Sequence, residues 1–121
     1  MTKSDLESHC MSLPGTKQDI KWGHDLCFCV AEKMYCVTAV EGQLAASFKV
    51  LPEEMQTLTE REGIIPAPYM ARNNWVYVET AKALTPKEWK YYVKQSYELV
   101  VAKLPAKTQA KLANAVARKG R

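Results

Sequence analysis

Apolar positions recur along the chain with two periods, and the switches between them mark out its elements. Leu6, Cys10 and Leu13 stand at helical spacing behind Thr2 and Ser4, either of which can cap, so a helix is expected over 4–13. Pro14-Gly15 ends it. Ile20-Lys21-Trp22-Gly23 is too short to assign by period. The apolar run Leu26–Ala31, the β-branched and aromatic run Met34–Val40 and the stretch Ala45–Val50 predict three strands. Tight turns at Glu32-Lys33 and Glu41-Gly42-Gln43 would join them as a meander.

Pro52 followed by Glu53 and Glu54 suits the positive end of a helix dipole, and opens a second helix with Met55, Leu58 and Thr59 inward and Gly63 as its stop. Pro66 and Pro68 keep Ile64–Met70 extended. Trp75–Glu79 is the clearest strand, and Ala71-Arg72-Asn73-Asn74 before it reads as a hairpin turn. Thr85-Pro86-Lys87-Glu88 is a capping box that opens a helix to about Leu104. Its inward face is Trp89, Val93, Ser96, Tyr97, Val100 and Leu104. Beyond Pro105, the Ala-rich segment 106–118 favours helix, with Lys107, Lys111, Asn114 and Arg118 in one polar stripe.

The order is α-β(3)-α-β(2)-α with a basic helical extension. It implies an α+β two-layer sandwich in which helices cover one face of an antiparallel sheet. At 121 residues the chain has the size of one domain, with 1–105 as its body and 106–121 as an extension of that domain. An apolar fraction of 47% and a charged fraction of 25% are those of a globular protein. The apolar stretches are strand-sized, so no membrane span is expected. The N-terminal residues lack the apolar core of a signal peptide, and a cytoplasmic location is expected.

Charge changes the picture more by its placement than by its total of +4. From Lys103 to Arg121 there are six bases and no acid, which leaves the preceding residues with a net charge of −2. A basic tail attracts phosphate or an acidic partner, and is equally the solvated end of a helix.

Four cysteines, Cys10, Cys27, Cys29 and Cys36, form no CxxC pair. With a tight turn at Glu32-Lys33, Cys29 would face Cys36 and Cys27 would share their side of the hairpin, beside His24. Those are ligand types that zinc uses, but the spacing is not that of a zinc motif, and packed thiols are the expectation. His24-Asp25 beside Cys27 is the one candidate dyad, and neighbours on a strand point apart. The carboxylate pair Glu53-Glu54 is explained by the helix start, and Glu60 and Glu62 flank Arg61 at its end. With no phosphate loop or glycine fingerprint either, neither an enzyme nor a bound metal or cofactor is expected. Trp75 and Tyr77 share a strand face and read as core aromatics beneath a helix. The polar turn Arg72-Asn73-Asn74 remains free to touch phosphates or base edges.

Leu13-Pro14-Gly15, Lys33-Met34-Tyr35, Phe48-Lys49-Val50 leading to Pro52-Glu53-Glu54, Pro66-Ala67-Pro68-Tyr69-Met70, Asn74-Trp75-Val76 and Ser96-Tyr97-Glu98-Leu99-Val100 occur in an order that resembles the MmcQ/YjbR family. The resemblance spans Leu6 to Pro105. It implies the α-β(3)-α-β(2)-α fold, described as a double wing and similar in outline to type III secretion chaperones. Members commonly carry a DNA-binding label that rests on fold, and the family supplies no catalytic residues. Tyr69, Trp75, Ser96 and Tyr97 are its recurring positions here.

The expectation that follows is a DNA-binding protein, monomeric or weakly dimeric. Arg72, Asn73 and Asn74, Lys87, Lys90 and Lys94 on the long helix, and Lys107, Lys111 and Arg118 in the tail would be its contacts. A protein-interaction module without nucleic-acid binding is the alternative.

Overall fold

The computed structural model describes residues 1–119 except Tyr69, with side chains as far as Ala113. Helix α1 (Lys3–Ser12) is followed by four strands: β1 (Thr16–Lys21), β2 (Asp25–Val30), β3 (Lys33–Ala39) and β4 (Ala46–Lys49). Helix α2 (Pro52–Thr59), strands β5 (Ile64–Pro66) and β6 (Trp75–Val78), and helices α3 (Pro86–Val101) and α4 (Ala106–Lys119) complete the chain. The six strands form one antiparallel sheet in the order β1-β2-β3-β4-β6-β5. No described helix is long and apolar enough to cross a membrane.

The α+β class and the antiparallel sheet match the sequence, but four strands, not three, precede α2. The additional one, β1, reads Thr-Lys-Gln-Asp-Ile-Lys and is exposed over most of its length. An edge strand with solvent on both faces has no apolar alternation to reveal it.

Helix starts follow their local chemistry. Thr2 accepts from the Asp5 amide (3.1 Å) while the Asp5 carboxylate accepts from the Thr2 amide (3.0 Å). Thr85 and Glu88 repeat that reciprocal pair at α3. At α2 no side chain caps the first turn, but the Glu54 carboxylate accepts from the Leu51 amide (2.9 Å).

One face of the sheet meets the helices. Phe28, Val30, Cys36, Phe48, Val76 and Val78 point into a core that Leu6 and Cys10 of α1, Leu58 of α2, and Trp89 and Val93 of α3 close. Because Val76 and Val78 take the helix side, Trp75 and Tyr77 lie on the other face. The expectation that they sit beneath a helix is thus corrected by the strand's alternation. Trp75 is still buried. Tyr77 lines, with Ser47, Pro68 and Met70, a shallow hollow on that outer face.

The hairpin β2–β3 also corrects the expected thiol alignment. Its turn is Ala31-Glu32, both at positive φ, and Val30 pairs with Lys33. A bulge at Phe28/Cys29 then shifts the register, so Cys36 faces Phe28 and Cys29 faces Met34. Cys36 therefore turns to the core beside Cys10, while Cys27 and Cys29 are buried on the other face of the sheet, opposite Asp19 and Lys17 of β1.

Candidate functional site

Ser96 and Tyr97, on the buried side of α3, make the longest-range side-chain bonds of the sheet–helix interface. The β3–β4 ladder runs through Cys36–Phe48 and then parts. Ser96 fills the gap: its hydroxyl donates to the Tyr35 carbonyl (2.6 Å) and accepts from the Lys49 amide (2.9 Å). Tyr97 donates to the Pro14 carbonyl (2.6 Å) and meets Tyr35 edge-on at 5.4 Å. The Tyr35 hydroxyl donates to the Cys10 carbonyl (3.2 Å) and so takes the Thr16 hydroxyl as its donor (2.8 Å). Two phenols thereby fasten the corner between α1 and β1. Burial pushes both phenols above the ordinary tyrosine range. These residues act in packing.

Three of the thiols are shifted away from the thiolate form. Burial raises Cys27 to about 11, with the neighbouring Cys29 thiol adding to the shift. Burial likewise raises Cys29, and Cys36 lies well above the ordinary range through its hydrogen bond to Cys10 and its burial. A thiolate is the nucleophile, and these positions disfavour it. His24 is exposed at the β1–β2 turn, 3.8 Å from the Asp25 carboxylate. His9 Nε2 lies 3.1 Å from the Lys90 carbonyl, which makes it a donor, and burial lowers its pKa. Among the described residues no three His, Cys, Asp or Glu side chains come together to hold a metal ion.

The basic candidates fall into separate groups. Lys87, Lys90 and Lys94 are exposed on α3, and at 100° per residue they fall within about 60° of one another. Tyr91, 60% exposed, borders the same stripe and meets Tyr92 edge-on at 5.1 Å. Among the described residues the only ion pairs are His24–Asp25 and Arg61–Glu88, so none of the three lysines is in an ion pair, and Asp5 is the acid whose pKa Lys90 helps to lower. Glu88 is held by Arg61 at 2.9 Å, which lowers its pKa and leaves its charge spent within the α2–α3 contact.

The polar turn is not the tight hairpin the sequence suggests. Pro66 pairs with Val76, and the connection before Trp75 is a longer loop with a 3-10 turn at Ala71–Asn73. Arg72 and Asn73 are exposed on it. Asn74 is occupied structurally: it takes the left-handed conformation (φ 65°) and its carbonyl accepts from the Val50 amide (2.8 Å). Beside this loop, Trp75 pairs with Lys49, whose pKa burial lowers, with nearby Lys103 adding to it. Lys49 and Lys103 are thus neighbours that sequence distance conceals. Lys107 and Lys111 are exposed on α4, and the side chain of Arg118 lies outside the described residues.

A model of the YjbR family matches residues 11–99. The chain belongs to the YjbR family. Two solved structures share the fold. One is Deinococcus radiodurans protein DR2400, with a DUF419 domain: 26% identity, 93% of this chain and 88% of that one covered, TM-score 0.84. The other is a protein from Pseudomonas syringae: 22% identity, 82% and 98% covered, TM-score 0.66. No curated protein matches the chain significantly. Within the family segment, Ser96 and Tyr97 hold the helix to the sheet and Trp75 is buried, while Tyr69 lies outside the described residues.

Proposed function

We propose that this YjbR-family chain is a binding module, not an enzyme, and that its ligand is the phosphate backbone of DNA. The observation that carries this reading is the stripe of Lys87, Lys90 and Lys94 on the outer side of α3, none of which makes an ion pair among the described residues, bordered by exposed Tyr91. Unpaired lysines on a rigid helix hold their charge where phosphates can meet it, and a neighbouring aromatic ring offers a surface for stacking. Such contacts position a protein without reading sequence. Support also comes from what surrounds the stripe: thiols held protonated and His9 committed to a backbone carbonyl leave little for catalysis. Arg72, Asn73, Lys107 and Lys111 would act as outlying contacts, and Asn74 leaves the set because its backbone geometry explains it.

The test is titration of a labelled random duplex at low and near-physiological salt. Wild-type protein should bind with an affinity that falls steeply as salt rises. Removing all three charges in the Lys87→Ala/Lys90→Ala/Lys94→Ala variant should reduce the salt slope by roughly 2–3. Equal slopes for the two proteins would remove α3 from the interface, and absence of binding at low salt would end the reading.

A further inference from the structure

The sheet has two edges, β1 and β5, and they are unequally protected. Strand β5 is three residues long and ends in Pro66, a common device against edge pairing. Strand β1 is six residues long, has no proline, and turns one side of its backbone away from β2, its only partner strand among the described residues. It presents Ile20 to solvent at 56%, and Trp22, in the turn that follows the strand, is 68% exposed. Trp22 has φ 56°, a left-handed backbone that a bulky residue rarely adopts. The adjoining turn therefore holds an indole outward at a conformational cost, a pattern associated with recognition sites.

We propose that β1 is an interface between two copies of this chain, paired antiparallel about a two-fold axis at Ile20. The strand's own charge order selects the partner and the register. With Ile20 facing Ile20 of the second copy, Asp19 of each strand faces Lys21 of the other. Each pair is then opposite in sign, and the two Ile20 side chains cover one another. A register centred on Asp19 sets carboxylate against carboxylate and Lys17 against Lys21, which is repulsive. A register centred on Gln18 pairs Lys17 with Asp19 but places Ile20 against Thr16, leaving the apolar pair uncovered. Registers offset by one residue turn the core faces of the two sheets to opposite sides. The Ile20 register continues the sheet into the second copy with the helical layers on the same side.

Sedimentation equilibrium over about 5 to about 500 µM, a range that detects weak association, is the measurement. The mass should rise from 13.7 kDa towards twice that value. Asp19→Lys creates two Lys–Lys oppositions and should weaken the dimer roughly tenfold or more. Adding Lys21→Asp to that variant reverses both pairs and should restore association to within about threefold of wild type. Ile20→Thr, which keeps a β-branched side chain, should weaken association while leaving the monomer's melting temperature unchanged. A monomer at every concentration overturns the proposal. So does a dimer insensitive to Asp19→Lys, or one that Lys21→Asp fails to rescue, which would point to the Gln18 register or another surface.

Discussion

Ser96 shows how one hydroxyl can hold two layers together. It is fully buried and satisfies a carbonyl on β3 and an amide on β4 where their ladder has ended. Ser96→Ala would leave a buried carbonyl and a part-buried amide unpaired, so the denaturant midpoint should fall by an amount equivalent to roughly 2–4 kcal/mol. A loss under about 0.5 kcal/mol would mean that water replaces the hydroxyl. Cys27 makes a prediction about pH. Its folded pKa of about 11 exceeds the ordinary 9.0, so above pH 9 the unfolded chain loses the proton more readily than the folded one. The stability tied to that thiol is complete below pH 9 and is lost as pH rises towards 11. Cys27→Ala should show a shallower decline in denaturant midpoint across that window than wild type, and parallel curves would show that the thiol is not desolvated. The burial of the cysteines was legible from residue type, but their partners were not. The Ala31-Glu32 turn and the bulge after Phe28 together decide which thiol faces which, and neither leaves a mark in the apolar pattern.

Elements were legible where local chemistry and burial agree. Thr85-Pro86-Lys87-Glu88 announces α3, and Trp89, Val93, Ser96 and Tyr97 do form its buried side. Thr85→Ala removes the acceptor for the Glu88 amide and should cost about 1 kcal/mol in thermal or chemical unfolding. It should also loosen Glu88, whose carboxylate holds Arg61 of the α2 end as well as the Thr85 amide. Arg61→Ala made in the Thr85→Ala background should therefore cost less than in wild type, since the shared partner is already displaced. Strand β1 escaped the sequence for the opposite reason. Its burial is slight on both faces, so what makes it a strand is the ladder with β2, a long-range fact of pairing. In the loop between β5 and β6, Arg72, Asn73 and Asn74 do look like turn residues. Their type could not distinguish Asn74, bound into the backbone network, from Arg72 and Asn73, which point to solvent.

For the molecule as a whole, the family and the α+β class were readable from motif order, whereas the candidate surface was readable only in part. Lys87, Lys90 and Lys94 share a stripe because helical periodicity fixes it, but the meeting of Lys49 with Lys103 depends on how α3 crosses the sheet. The Ala-rich segment reads as a charged extension, yet in the structure α4 returns to the core. Gln109 donates to the Leu104 carbonyl (2.8 Å) at the turn between α3 and α4, and Leu112 packs against the core and lies beside Gly15. Gly15 has φ +74°, and a Cβ there would run into the Leu112 side chain. Gly15→Ala thus carries two penalties, about 1–2 kcal/mol for the left-handed backbone and an overpacking cost against α4. Only the second depends on α4 being docked. In a double-mutant cycle, Gly15→Ala should be less damaging by about 0.5 kcal/mol or more when Leu112 is already alanine. Simple additivity would separate α4 from the α1–β1 corner. The expected coupling would instead make the basic segment part of the same folded unit that Tyr35 and Tyr97 fasten at Cys10 and Pro14.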